Sequence, residues 1–201
     1  MPRGGTVVPL KHANVDLDAM VTGVVAGDIG ATRLLFEQFG PMVNRLVWRL
    51  LGADRDHNDV VHDVFVGVLS SIGTLKSPAL LEHWMYSVAV NTVRREINKR
   101  RLRRIFHLDP DAGAGCPVPF DPEIHLAIKH FYEVMGGMGA DDRIVFILRF
   151  VEGRRLAEIG SMLGCSITEV KRRLARAQAE YRKRAEGDPI VTWLGEERPH
   201  E

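Results

Sequence analysis

Cysteine is scarce in this 201-residue chain, a net charge of either sign is all but missing, and long apolar runs are absent. The two cysteines, Cys116 and Cys165, are too few for a disulfide framework or a four-ligand zinc site, so a reduced, cytoplasmic setting is expected. Lys and Arg number 27 against 26 Asp and Glu, a formal charge of +1, and the total gives no sign of a polyanionic partner. The longest apolar stretch, Ile144 to Val151, is broken by Arg149 and falls well short of the roughly 18 residues of a membrane span. Met1-Pro2-Arg3-Gly4-Gly5 lacks the apolar core of a signal peptide. No membrane insertion is expected. With 45% hydrophobic and 26% charged residues the chain can bury a core, and its length suits one domain or two small ones.

Helix signals dominate what is there. Asp28 precedes an apolar pattern of Leu34, Leu35, Met42, Val43, Leu46, Val47 and Leu50 that Gly52 closes, with Phe36 and Phe39 added to its core side. Val60, Val61, Val64, Phe65, Val68 and Leu69 repeat the three-and-four spacing up to Gly73. Ser77-Pro78 resembles an N-cap with proline in the first turn, and no breaker follows until Arg104, which predicts one long helix. The run DPDAGAGCPVPFDP, from Asp109 to Pro122, has neither helical nor strand period and looks like a linker. Beyond it, Glu123 to Met135 and Asp141 to Val151 are predicted helical. No segment alternates as a sheet would. The expected fold is all-α: two small helical domains joined by a flexible linker, the C-terminal one a helix-turn-helix.

That last feature rests on residues 156–174. Leu156, Ile159 and Leu163 face inward on a short helix, Gly164 supplies a turn, and Ser166-Ile167-Thr168-Glu169 fits a capping box. The next helix should begin at Ile167 and bury Val170, Leu174, Ala177 and Tyr181. Thr168, Lys171, Arg172, Arg173 and Arg176 fall outside that stripe, so a basic outer face follows a glycine turn, as in helices that enter the DNA major groove. In the first half, Trp84 to Arg104 places aromatics, Asn91 and a run of arginines on one helix. Those provide stacking faces, a base-reading amide and phosphate cations, which single-stranded or melted DNA requires.

Together these segments resemble bacterial RNA polymerase sigma factors of the extracytoplasmic-function (ECF) group, over Leu17 to Arg104 and Asp121 to Arg184. The resemblance implies an N-terminal tail at 1–16, a core-polymerase and -10 binding domain at 17–106, and a linker at 107–120. A -35 binding helix-turn-helix domain at 121–186 and a C-terminal tail at 187–201 complete it. Asp59, Val60, Val61, His62, Asp63 and Phe65 resemble the segment that docks on the β′ clamp helices, and Ser77 to His83 the loop that captures a flipped base. Trp84, Asn91, Arg94, Arg95, Lys99 and Arg100 would engage the -10 element. Ser166, Thr168, Glu169, Lys171, Arg172, Arg173 and Arg176 would engage the -35 element. The implied partners are core polymerase through its β′ clamp helices and β flap, promoter DNA, and an anti-sigma factor. No catalytic residue, metal or cofactor is implied. The chain departs from the family pattern at His62, Ser87, Val90 and Arg95.

Two other readings compete. A stand-alone helix-turn-helix regulator explains Ser166 to Arg184 but leaves Asp59 to Phe65 and Trp84 to Arg104 without a task. A metal-dependent phosphohydrolase would use His57, Asp59, His62 and Asp63, yet His62 and Asp63 point about 100° apart on one helix. Charge distribution favours DNA. Arg94 to Arg104 and Lys171 to Arg184 each hold seven basic residues and one acidic, leaving 13 basic and 24 acidic elsewhere.

Overall fold

A computed structural model describes residues 16–52, 56–105 and 122–185, without the side chains of residues 103–105 and 122–127. The expected linker and most of both tails, with Cys116, lie outside the described residues. Eight α-helices occur among those described: α1 (Leu17–Val25), α2 (Ile29–Leu51), α3 (His57–Ser71), α4 (Leu81–Ile105), α5 (Pro122–Gly136), α6 (Ala140–Phe146), α7 (Leu156–Leu163) and α8 (Ile167–Arg184). Among the described residues no helix is long and apolar enough to cross a membrane.

Local chemistry accounts for most boundaries. The carboxylates of Asp16 and Asp28 accept hydrogen bonds from the Ala19 and Ala31 amides at 3.0 and 2.7 Å, filling orphan donors at the starts of α1 and α2. Pro41 lies inside α2 and does not end it, although an interior proline costs about 3 kcal/mol. Burial of Leu35, Phe39, Met42, Val43, Leu46, Val47 and Leu50 along the same helix offsets that cost. Leu34 and Phe36, expected on the core side, are more than a third exposed; Phe36 instead lays its ring 4.2 Å from that of Phe65 on α3. Entry into the long helix also differs from expectation. Pro78–Leu80 forms a 3-10 turn, Ser77 makes no capping bond, and the α-helix begins at Leu81.

The second half shows a larger departure. The expected helix to Val151 ends its α-helical winding at Phe146, and Ile147–Val151 form a wider π turn in which the Glu152 amide donates to the Ile147 carbonyl at 3.0 Å. Gly153 then takes a left-handed φ of 68°. This turn aims Glu152 and Arg154 at the first half of the chain. Behind it, Phe146 stacks on Tyr181 with centroids 5.2 Å apart, tying α6 to α8.

The two expected helical domains pack on each other, and their buried residues form one contiguous hydrophobic cluster. α6 and α7 pack on α4, and the π turn packs on α2. Tyr132 on α5 donates from its hydroxyl to the Trp48 and Arg49 carbonyls at 3.3 and 3.0 Å, and burial pushes its phenol up to about 12. Its ring lies over Gly52, the residue that ends α2 at φ 81° and ψ −166°, a region nearly exclusive to glycine. A Cβ at Gly52 would stand 2.8 Å from Tyr132 Cγ, whereas one at Gly27, with φ 79°, would meet nothing within 4 Å. In urea melts Gly52→Ala should therefore cost about 3 kcal/mol or more and Gly27→Ala about 1 kcal/mol, and equal losses would show that the Tyr132 contact carries no weight.

Candidate nucleic-acid interface

Helix α4 distributes three tasks around its circumference. At about 100° per residue, Leu81, Met85 and Ala89 fall on one side, Tyr86, Val90 and Ile97 on the next, and all six are buried. Trp84, Ser87, Asn91 and Arg95 occupy a third side. There they line an open groove with Ser70 and Ser71 at the end of α3. The Asn91 amide nitrogen donates back to the Ser87 carbonyl at 2.8 Å, and Arg95 donates to the Asn91 carbonyl and the Thr92 hydroxyl, both at 3.3 Å. Trp84 is half-buried in this groove; Asn91, Arg95 and Lys99 are exposed.

Three of the expected -10 cations are engaged by carboxylates, Lys99 lying 3.5 Å from Glu96. Arg100, 18% exposed, donates to Glu96 at 2.8 Å and lies 3.6 Å from Asp56. Arg94 pairs with Asp141 of α6 at 2.6 Å. Burial disfavours the charge on Glu96, but the hydrogen bond from Arg100 and the charges of Arg100 and Lys99 outweigh it and hold the carboxyl below its usual range.

On α3 the six residues expected to meet polymerase divide by side. Val60 and Phe65 are buried in the core and Val61 is half-buried, while Asp59, His62 and Asp63 project outward beside Val66, itself 50% exposed. The helical period predicts that division. The same period places Val66 on that outer side, one turn past His62, where the sequence reading missed it. The His57 ring nitrogen lies 2.7 Å from the Asn44 side-chain oxygen, and among the described residues no three His, Cys, Asp or Glu side chains come together as a metal site.

The helix-turn-helix is α7 and α8, with Gly164 between them at φ 64°. Ser166 accepts from the Glu169 amide at 3.2 Å, so half of the expected capping box forms. The other half does not, because Glu169 turns its carboxylate to Arg172 and Arg173, at 2.7 Å from each. Guanidinium pairing there wins over a single amide bond. A reach-back of the expected kind occurs at α7, where the Arg155 amide donates to Glu158 at 2.7 Å; arginine offers no acceptor in return. Ser166, Thr168, Lys171, Arg172 and Arg176 are exposed, whereas Arg173 is half-buried. Arg176 pairs with Asp142 at 2.8 Å and Arg173 lies 3.3 Å from Asp141. Asp141 and Asp142 escaped notice in the sequence, where two acids in a helix's first turn look like ordinary complements of its dipole.

Similarity to known proteins agrees with this arrangement. Residues 35–103 match Sigma-70 region 2, and residues 130–179 match Sigma-70 region 4. A probable RNA polymerase sigma factor, RfaY, of Xanthomonas campestris pv. campestris is 28% identical over 130 residues, 62% of this chain but only 32% of that protein's length. The ECF RNA polymerase sigma-E factor of Haemophilus influenzae is 25% identical over 171 residues, 80% of this chain and 90% of its own. In fold, the sigma factor RpoE of Bartonella quintana, solved with the anti-sigma factor NepR, superposes with a TM-score of 0.59 at 18% identity, covering 78% of this chain and 97% of that one.

Acid should loosen the cationic helices. The Glu169 carboxyl is held low chiefly by the hydrogen bond from Arg173, with burial opposing and Arg172 assisting. A carboxyl lowered in the folded state stabilises it above the unfolded value, and that contribution disappears as pH falls through the folded value. Urea midpoints followed from about pH 6 to about pH 3 should therefore fall less steeply for Glu96→Gln and Glu169→Gln than for the native chain. Parallel curves would show that neither pairing is linked to folding.

Proposed function

The chain belongs to the sigma-70 family of RNA polymerase factors, in its extracytoplasmic-function group, and from that premise we propose that it is a dissociable initiation subunit that directs core polymerase to promoters by recognising -10 and -35 elements. The observation that carries this is the order of the two matched regions on one chain, each containing one of the two cationic helices. On this reading the domain limits are 17–106 for polymerase and -10 binding and 121–186 for -35 binding. Nucleotidyl transfer remains the polymerase's task, and no residue of this chain is catalytic in it. The site of action is the cytoplasm, where the polymerase works.

Roles follow from exposure and chemistry. Asp59, His62 and Asp63 present carboxylates and an imidazole to the polymerase clamp from the outer side of α3, with Val60, Val61 and Phe65 setting their register from the core. Trp84 and Asn91 receive -10 bases in the groove beside α3, and Arg95 and Lys99 meet the backbone. Arg94 and Arg100 join them only when their carboxylate partners release them, and Lys99 likewise gives up its 3.5 Å pairing with Glu96. In the -35 major groove, Ser166 and Thr168 stand at the positive end of α8, Lys171, Arg172, Arg173 and Arg176 face phosphates and base edges, and Glu169 orients two of those arginines. The Bartonella neighbour's anti-sigma partner supports a regulator of the same class here.

Reconstituted transcription tests the proposal. Core polymerase with this protein should initiate at promoters recovered by selection; tight, specific duplex binding by the protein alone, with no initiation at any such promoter, would overturn it. Replacing Lys171 and Arg172 by alanine should weaken holoenzyme binding and lower the log-log salt slope by about 0.9 for each phosphate that is no longer neutralised. An unchanged slope would show that neither side chain neutralises a phosphate.

A further inference from the structure

Trp84, Asn91 and Asn98 recur at equal intervals along α4. At about 100° per residue each interval completes two turns less about 20°, so the three side chains leave the helix close to one line. Trp84 and Asn91 line the open groove beside α3, and Asn98 stands past its end.

Nothing in the fold occupies Asn98. Its side chain is exposed, and among the described residues no hydrogen bond engages its carboxamide. The amide of Asn91, by contrast, donates to the Ser87 carbonyl at 2.8 Å. The cations around Asn98 are held as well: Arg94 by Asp141, and Lys99 and Arg100 by Glu96. Asparagine is a poor helix former, and inside a helix of 25 residues neither a cap nor a turn accounts for it. Leu102, one turn further on, is 56% exposed. A helix side left to solvent is ordinarily charged, whereas this one presents a neutral amide and then an apolar side chain.

Spacing supplies the ligand. The rise from Asn91 to Asn98 is about 10.5 Å at 1.5 Å per residue. Successive nucleotides of one strand lie about 3.4 Å apart, so the two amides stand about three bases from each other. A carboxamide pairs in bidentate fashion with adenine, accepting from the N6 amino group and donating to N7.

Resting on the sigma-factor reading, we propose that Asn98 is a further base-reading residue, specific for an adenine about three positions from the base at Asn91 and on the side away from Trp84. Promoter selectivity then extends along α4 beyond the groove, through a neutral contact that adds nothing to phosphate binding.

The test uses holoenzyme assembled from core polymerase and the full chain, on selected promoters varied one position at a time around the -10 element. The native chain should favour adenine by about tenfold at one position, about three bases from the position that Asn91→Ala relaxes. Asn98→Ala should abolish that preference and no other, and Asn98→Gln should retain it, because glutamine makes the same pair with adenine. Deaza-adenine, which pairs normally but carries carbon in place of N7, should weaken initiation by the native chain and leave Asn98→Ala indifferent. Asn98→Ala should also unfold no earlier in urea, since alanine is the better helix former, which separates lost reading from lost folding. Relaxation of no position, relaxation only of the Asn91 position, or an equal loss of initiation at every promoter would each overturn the proposal. Native initiation that ignores the base at that position sinks this inference alone, whereas no initiation at any promoter sinks the sigma-factor reading with it.

Discussion

Helix α4 is buried on two sides at once, and the rest of the structure is arranged around that demand. Leu81, Met85 and Ala89 and, next to them, Tyr86, Val90 and Ile97 are all buried. α2 and α3 pack on it, and so do α6 and α7. A helix covered this way has little freedom to reorient, and the groove residues Trp84, Ser87, Asn91 and Arg95 are presented on a rigid support. Past Ile97, Arg101 and Leu102 are exposed, while Arg100 is held by Glu96 and Asp56.

Near-neutral total charge and two strongly cationic helices are reconciled by where the acids sit. Glu96, Asp141, Asp142 and Glu169 each meet at least one arginine of α4 or α8. These carboxylates do more than balance a sum: they give guanidinium groups a defined position, and on the proposed reading each such pairing is exchanged for a phosphate on binding. Exchange of one ion pair for another changes free energy little, which suits a subunit that must bind and release. On that reading the acid pairs limit indiscriminate attachment while leaving Arg95, Lys171 and the outer edge of α8 open to solvent.

Periodicity made most of the fold legible. α2 and α3 carry clean three-and-four spacings because each packs on one side, and their boundaries at Asp28, Gly52 and Ser71 lie where the sequence placed them or within a few residues. The helix-turn-helix was visible for the same reason, with Val170, Ala177 and Tyr181 buried as their spacing required. Errors arose where local signals competed with longer-range ones. Glu169 satisfied a capping pattern, yet two arginines one turn further along the helix took its carboxylate. Phe36 had the right spacing for the core, yet α2 presents it toward Phe65 at the surface. The π turn after Phe146 left no mark in a run of β-branched and aromatic residues that suits a regular helix equally well.

Residue order alone determined the all-α architecture, the turn at Gly164 and the concentration of positive charge in two helices, because these depend on neighbours within one or two turns. Tertiary structure decided which of those charges are free. Asp141 lies 47 positions from Arg94. Glu152 lies 103 positions from Arg49. No periodicity links such residues; only the packing of the second half on α2 and α4 brings them within a few ångströms. The sequence specified the cations, and the fold, by bringing distant carboxylates to some of them and not to others, determined which are held and which are exposed.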